Sequence, residues 1–367
     1  MLERFKPRAE DQVVVKEKPL RTTVKAIFER LNCPPEDAEV AADALLSSDL
    51  RGVESHGVSN MLREYVRGYM DGQINPRPQI KVLRETPSTA TIDADRGVGV
   101  ITGPRCMQIA IQKAEQVGMG VVTAQNGGHL GMLAYHAMLA LPHDMIGVCM
   151  GSATYGASVL PTWAREPRMG TNPIAIAVPA GKEAPFVFDV ATSAVAGNKI
   201  TLAKRVGALM EPGWVSDEQG NPIMEEAMLP QKYFGLPLGG TRELGSHKGY
   251  GLSVMVGIMS SVLSGAGLYP KTPRPPGHGA GYYNHYFAAY KIDAFTPVDQ
   301  FKEQMDDYLR TLRTTPPAPG HERVFYAGLP EAEDERERRA HGIALHKEVI
   351  QWFRDICGEL SIPFILV

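Results

Sequence analysis

The hydrophobic period changes twice along this chain, near residue 80 and again after residue 297. A sheet-bearing middle flanked by helical segments from both ends is the architecture this pattern allows. Before the first change, Val24, Ile27, Phe28 and Leu31 fall at i, i+3, i+4 and i+7, one apolar stripe of a helix that stops before Pro34-Pro35. A second helix, from about Glu36 to Leu50, turns Val40, Ala44 and Leu45 inward and ends near Gly52. A third runs from about Asn60 to Met70, so Arg51–Ser59 is a loop held between rigid elements. After residue 80, strands are expected at Thr89–Ile92, Gly120–Ala124, Met145–Met150, Ile174–Val178 and Phe186–Val190. Pro104 is read as opening a helix that Gly118 closes. Beyond 297, Phe301, Met305, Tyr308, Leu309 and Leu312 return to helical spacing, and a further helix surrounds Ile350 and Phe353. The expected division is a helical lobe of residues 1–79 completed by 298–367, with 80–297 as the sheet domain.

Composition removes several classes of function. At 367 residues, 44% hydrophobic and 22% charged, the chain buries a substantial core and is not disordered. A net charge of −3 with interleaved signs gives no footprint for nucleic acid. Cys33, Cys106, Cys149 and Cys357 stand singly and read as reduced, buried thiols. No run reaches the roughly 18 apolar residues of a membrane span. The most apolar helical stretch, Leu252 to Leu263, is interrupted by Ser253, Gly257, Ser260 and Ser261. A cytoplasmic, soluble protein is expected.

Three segments place histidine or lysine among glycines next to a strand or helix end, where a scaffold presents backbone amides and side chains to a ligand. Ser55-His56-Gly57 lies in the first loop; its plainest reading is a hydrogen-bonding turn histidine. Gln125-Asn-Gly-Gly-His129-Leu-Gly131 follows a strand, and an imidazole there can exchange a proton near neutral pH. Gly245-Ser-His-Lys248-Gly-Tyr-Gly251 leads into the apolar helix read as starting at Leu252, and a lysine at a helix start suits an anion, a phosphate above all, unless it is simply solvated.

Other motifs are set aside. The order around Lys248 is not that of a P-loop. Gly97-Val-Gly99-Val-Ile-Thr-Gly103 has its third glycine one place too late for a Rossmann fingerprint and lacks the acidic residue about 20 positions on. His278 and His285, seven apart in a glycine-rich loop, match no common zinc spacing. The run Glu331 to Arg339 reads as a solvated helix face. A metal-dependent hydrolase or lyase built on His56, His129 and His285 is the reading from another class; no HExxH and no nucleophile elbow supports it.

Six segments, in order, resemble the malate/L-lactate dehydrogenase family that is distinct from the Rossmann lactate and malate dehydrogenases, the group of sulfolactate, ureidoglycolate and diketogulonate oxidoreductases. They are Arg51-Gly-Val-Glu-Ser-His-Gly-Val58, Ile74-Asn-Pro-Arg-Pro78, Gly128-His-Leu-Gly131, Gly170-Thr-Asn-Pro173, Asp189-Val-Ala-Thr-Ser193 with Gly197-Asn-Lys199, and His247-Lys-Gly-Tyr-Gly-Leu252. The resemblance implies an α/β fold whose non-Rossmann, mixed-sheet domain binds NAD or NADP, and a homodimer with active sites near the subunit interface. It implies hydride transfer at C2 of a small 2-oxo or 2-hydroxy acid, malate- or lactate-like; reduction of a cyclic imine carboxylate is the alternative within the family. Ser55 and His56 then face the substrate, with His129 as the first acid/base candidate and His56 the second. Gly170, Thr171, Asn172, Asp189, Ser193, Lys248 and Lys199 fall on the cofactor side. The arginine common in the family four residues after the loop histidine is Asn60 here. Arg63, one helical turn on, is the candidate replacement for holding the substrate carboxylate.

Overall fold

A computed structural model describes residues 8–153, 156–268 and 283–367. Helices α1 (Glu17–Arg30) and α2 (Pro35–Leu50) form where the sequence predicts them, and α3 (Arg63–Met70) starts three residues later than expected, because Asn60 falls in a π-turn over Val58–Leu62. Pro35 occupies the first turn of α2, where a missing N–H costs nothing, and Gly52 adopts φ +74° just beyond its end. Leu20, Ile27, Phe28, Leu45 and Leu46 share a core with Phe353 and Ile356 from α10 (Lys347–Glu359). The two chain ends are also joined by an antiparallel pair, β1 (Gln12–Val15) with β11 (Ile343–His346).

The middle of the chain builds a seven-stranded mixed sheet. Its strands are β2 (Lys81–Glu85), β3 (Thr89–Asp93), β4 (Met119–Gly127), β5 (Met145–Ala153), β6 (Ile174–Val178), β7 (Phe186–Val190) and β10 (Tyr283–Lys291), in the order β2-β3-β4-β10-β5-β6-β7. Only β3 and β4 run parallel; every other neighbouring pair is antiparallel, so this is not a doubly wound dinucleotide sheet. Helices α4 (Gly99–Val117) and α5 (Leu133–Met138) bury Met107, Ala110, Ile111 and Ala137 against one face. Helix α7 (Ser246–Gly257) lies against the other, with Val256 on Met150, Tyr286 and Ala288. A small satellite core holds α6 (Gly197–Val206) beside the short pair β8 (Val215–Ser216) and β9 (Phe234–Gly235).

Three expectations need correction. Pro104 does not open its helix: α4 begins at Gly99, and the glycine-rich run 97–103 supplies its first turn. The reason is packing. A Cβ on Gly99 would lie 2.5 Å from the Gly128 carbonyl oxygen and 2.6 Å from that of His129, so glycine lets α4 start directly against the His129 turn. Helix α7 likewise begins six residues before Leu252, which puts Lys248 within its first turn. The charged run is a helix, α9 (Leu329–His341), yet not merely a solvated one, because it grips the first loop as described below. Helix α8 (Val298–Arg313) lies against the turn between β6 and β7: Asp306 accepts backbone N–H groups from Gly181, Lys182 and Glu183. His278 falls outside the described residues.

Candidate active site

The loop from Arg51 to Gly57 is fixed from two sides. From α2, the buried Asp49 accepts the Val58 N–H at 2.8 Å. Gly57 packs against that carboxylate so closely that a Cβ would stand 2.2 Å from Oδ1. Burial pushes the Asp49 carboxyl up to about 8, so it sits beneath the loop in its neutral form at neutral pH. From α9, Arg338 reaches Glu54 at 2.7 Å and the Asp49 carbonyl at 2.6 Å, while Glu335 holds Arg51 at 2.9 Å. A 3-10 turn then presents Ser55 and His56, and a π-turn carries the chain into α3.

The second histidine arrives from the sheet. His129 follows β4, and its ring stacks on that of His56 at a centroid distance of 5.8 Å and an angle of 12°. Two residues 73 positions apart in sequence are thereby brought to one wall of a cavity of about 600 Å³. Ser55 Oγ lies 2.9 Å from His56 Nδ1. His129 Nδ1 has two partners: the Gly131 N–H donates to it at 3.1 Å, and the Tyr65 hydroxyl lies 2.9 Å away. Each ring keeps an edge on the cavity and is otherwise enclosed. Burial, reinforced by His56 and His285, pushes His129 down to about 3; burial and Lys199 push His56 down to about 4. Both are neutral imidazoles at pH 7.

The remaining candidates divide. Gly170, Thr171, Asn172, Asp189, Ser193 and Lys199 all line the cavity. Part of this set is also structural: Asp189 accepts the Ala134 N–H at the start of α5, and burial raises its carboxyl to about 6. Ser193 Oγ donates to the Val195 carbonyl at 2.7 Å. Asn172 ties the wall to α7 through the Ser253 carbonyl, at 3.0 Å. Lys248 is exposed on α7 and is not part of the cavity wall. Asn60 is engaged within the protein, its amide near the Ser55 and Asn198 carbonyls and its Oδ1 accepting from Arg205 at 3.1 Å. Arg63 pairs with Glu348 at 2.8 Å and covers the Trp352 ring. The guanidinium that meets position 60 is therefore Arg205, from α6.

Sequence reasoning passed over Tyr65 and Tyr283, whose ring meets His129 edge-on at 5.6 Å. Tyr65 shares the apolar stripe of α3 and carries no motif. His285, considered above only as a metal ligand, is on β10 and lines the cavity with a buried Nε2 that has no hydrogen-bond partner among the described residues. Asn172 Oδ1 is in the same condition. A carboxamide group would satisfy such open polar atoms, and the cavity volume lies in the range that takes a cofactor portion with substrate. Among the described residues, no three His, Cys, Asp or Glu side chains gather as a metal-ligand set, and no helix is long and apolar enough to cross a membrane.

Comparison with known proteins places the chain in a family. The family model for malate/L-lactate dehydrogenase matches residues 15–354. A malate dehydrogenase of Pyrococcus horikoshii is 36% identical over 354 residues, 96% of this chain and 97% of that protein. A solved structure of malate dehydrogenase from Pyrococcus horikoshii OT3 superposes with a TM-score of 0.87 at 34% identity, covering 98% of this chain and 99% of the other. An L-sulfolactate dehydrogenase of Methanocaldococcus jannaschii is 32% identical, covering 92% of this chain and 94% of its own. The structure of delta1-piperideine-2-carboxylate reductase from Pseudomonas syringae pvar. tomato matches at 25% identity and TM-score 0.80, over 94% and 99% of the two chains. The chain belongs to the malate/L-lactate dehydrogenase family, a family of hydroxy acid dehydrogenases.

Proposed function

We propose that the protein is an NAD(P)-dependent oxidoreductase that interconverts a small 2-hydroxy acid and its 2-oxo acid. The observation that carries this is the His56–His129 stack at the cavity wall, with the Tyr65 hydroxyl on the far nitrogen of His129. The nicotinamide ring, when bound, supplies or takes up the hydride; Asn172, His285 and Lys199, with the backbone at Gly170–Thr171, would hold it.

The proton is the protein's part of the reaction. A neutral imidazole carries its hydrogen on one nitrogen only. With the Gly131 amide donating to Nδ1, the hydrogen of His129 sits on Nε2, which can hydrogen-bond to a keto oxygen and stabilise charge growing there. With Nδ1–H donating instead to Tyr65 Oη, Nε2 carries a lone pair and takes the hydroxyl proton in the oxidation direction; the imidazolium so formed releases it to solvent, and in reduction the same imidazolium returns a proton to the carbonyl oxygen. Tyr65 can accept in that arrangement while its own hydrogen faces the His129 carbonyl, 3.5 Å away. His56, oriented by Ser55, stands beside the same substrate oxygen as a neutral hydrogen-bonding partner.

Titration with NAD and NADP, followed by a substrate screen at the nicotinamide absorbance, tests the proposal. Binding of neither dinucleotide and no oxidation across a panel of 2-hydroxy acids would end it. The likeness to a piperideine carboxylate reductase supports a second reading, reduction of a cyclic imine carboxylate. Pyruvate, oxaloacetate and a cyclic imino acid assayed side by side separate the two.

The proposal includes a homodimer. Along α7 and the turn after it, Leu252, Met255, Ile258 and Val262 form one exposed stripe, whereas Ser253, Val256, Gly257 and Ser260 face the sheet. An apolar stripe turned outward supports contact with a second subunit.

A further inference from the structure

Behind His129 lies a second cavity, of about 520 Å³, that shares His129 and Tyr283 with the first. The turn and helix after His56 supply Asn60, Arg63 and Arg67 to its walls, and α6 supplies Asn198, Thr201 and Arg205. Its charges do not balance. Three guanidiniums, Arg63, Arg67 and Arg205, stand against Glu64 in the wall and Glu348 behind it. Glu64 lies 3.5 Å from Arg67. Glu348 is shared: Oε1 accepts from Arg63 at 2.8 Å, and Oε2 is 3.6 Å from Arg205 Nε.

Arg205 is the less compensated of that pair. Its side chain is only 17% exposed, and its Nη2 donates to neutral oxygens, Asn60 Oδ1 at 3.1 Å and the Ser59 carbonyl at 3.3 Å. Arg63 has the closer carboxylate and the Trp352 ring beneath it. Enclosing the Arg205 cation with only a shared, half-exposed carboxylate opposite it is costly, and an incoming anion relieves the cost. Burial and the neighbouring Arg63 also push the Arg205 guanidinium below its ordinary value, against the pull of Glu348.

We infer that this cavity receives an anionic group at the far end of the substrate, a carboxylate or a sulfonate, and that Arg205 sets the preference for it. The inference rests on the 2-hydroxy acid reading above: with C2 at His129, the other end of a short acid extends past the ring toward Arg205. Planar guanidinium donors suit either acid group, and Asn198 and Thr201 add neutral hydrogen-bonding groups to the same walls.

The test compares Arg205→Gln and Arg205→Lys with the native protein on malate, sulfolactate and lactate, with each dinucleotide, and titrates succinate and propionate by calorimetry. The expected result for Arg205→Gln is a fall of about 10- to 100-fold in the ratio of kcat/KM for the two-anion acids over lactate, expressed mainly in KM. Succinate binding should weaken by a similar factor and propionate binding by much less. Whichever of malate and sulfolactate loses more identifies the acid group. Arg205→Lys keeps the charge without the planar fork, and should lose part of the preference while retaining the native melting temperature; it decides the matter if the Gln variant does not fold. A ratio within about threefold of native, or parallel loss on all three acids, overturns the inference, since parallel loss would assign Arg205 to the C1 carboxylate common to them. If the native protein oxidises none of the acids, the parent reading fails, and the succinate titration alone then decides whether Arg205 makes an anion site.

Discussion

His129 Nδ1 has two partners, one that only donates and one that can also accept, and the choice between them decides what Nε2 can do. The Gly131 amide is fixed by the backbone and always donates, so it favours the tautomer with hydrogen on Nε2. Only the Tyr65 hydroxyl can accept from Nδ1–H and thereby free the Nε2 lone pair. His129→Ala should lower kcat by about 10²–10⁴-fold, the usual worth of a placed acid or base, and unchanged turnover would show that the assignment is wrong. Tyr65→Phe is the sharper probe. It keeps the ring that packs α3 and removes the acceptor, so 2-hydroxy acid oxidation should drop about 10-fold or more in kcat with KM little altered. A variant whose loss falls only in KM would place Tyr65 in substrate binding instead. The acid limb follows from the same environment. A base pushed down to about 3 stays neutral as pH falls, so kcat/KM for oxidation should hold until well below the ordinary imidazole value of 6.5. A limb at or above 6.5 would mean that another group carries the proton.

At the scale of elements, the loop carrying His56 owes its position to partners remote in sequence. Arg51 and Glu54 meet Glu335 and Arg338 across roughly 284 positions, and no pattern within α9 reveals this. Alternating charge looks the same whether its partners are water or a distant loop. The β1–β11 pair was equally hidden: each strand has four residues, and their meaning lies in each other. β2 escaped for a different reason, since all five of its residues are exposed at a sheet edge and show no alternation. By contrast α1, β6 and β7 were legible, because burial of one face writes a local period, whereas α2, buried on nearly every side and with Val40 only half-buried, was legible from its proline start and glycine stop. Asp49 offers a test of the loop's foundation. Its folded value of about 8 stands above the unfolded 3.8, so its contribution to stability is complete below 3.8 and is lost as pH rises through 8. Asp49→Asn removes that titration and keeps an acceptor for the Val58 N–H. Its melting temperature relative to the native protein should therefore rise between pH 5 and about pH 8 and level off above that, and a difference that does not vary with pH would show Asp49 to be ionised in the fold.

The whole molecule is reached through α7, where the sequence was readable in composition and misleading in orientation. Serines and a glycine look like interruptions of an apolar helix, yet they are its inner face: Ser261 Oγ meets Ser152 Oγ at 2.6 Å and accepts from Asn284 at 2.9 Å, both from strands of the sheet. The small, hydrogen-bonded side packs on the protein, and the stripe of Leu252, Met255, Ile258 and Val262 is left outside, with Ile258 46% and Val262 49% exposed. An apolar stripe turned outward is a surface that a partner would cover, and in the proposed homodimer a second copy offers the same surface about a two-fold axis. A stable dimer of standard size buries about 800 Å² on each partner, more than one short helix provides, so neighbouring elements must join the contact. The stripe is then its centre, where a buried charge does most harm. Light scattering after size exclusion should give twice the chain mass for the native protein and a monomer for Ile258→Asp. Because α7 braces a residue of the cavity wall through the Asn172–Ser253 bond, the monomeric variant should bind dinucleotide more weakly. A native monomer, or a dimer indifferent to a carboxylate at position 258, would mean that this stripe is not where the subunits meet.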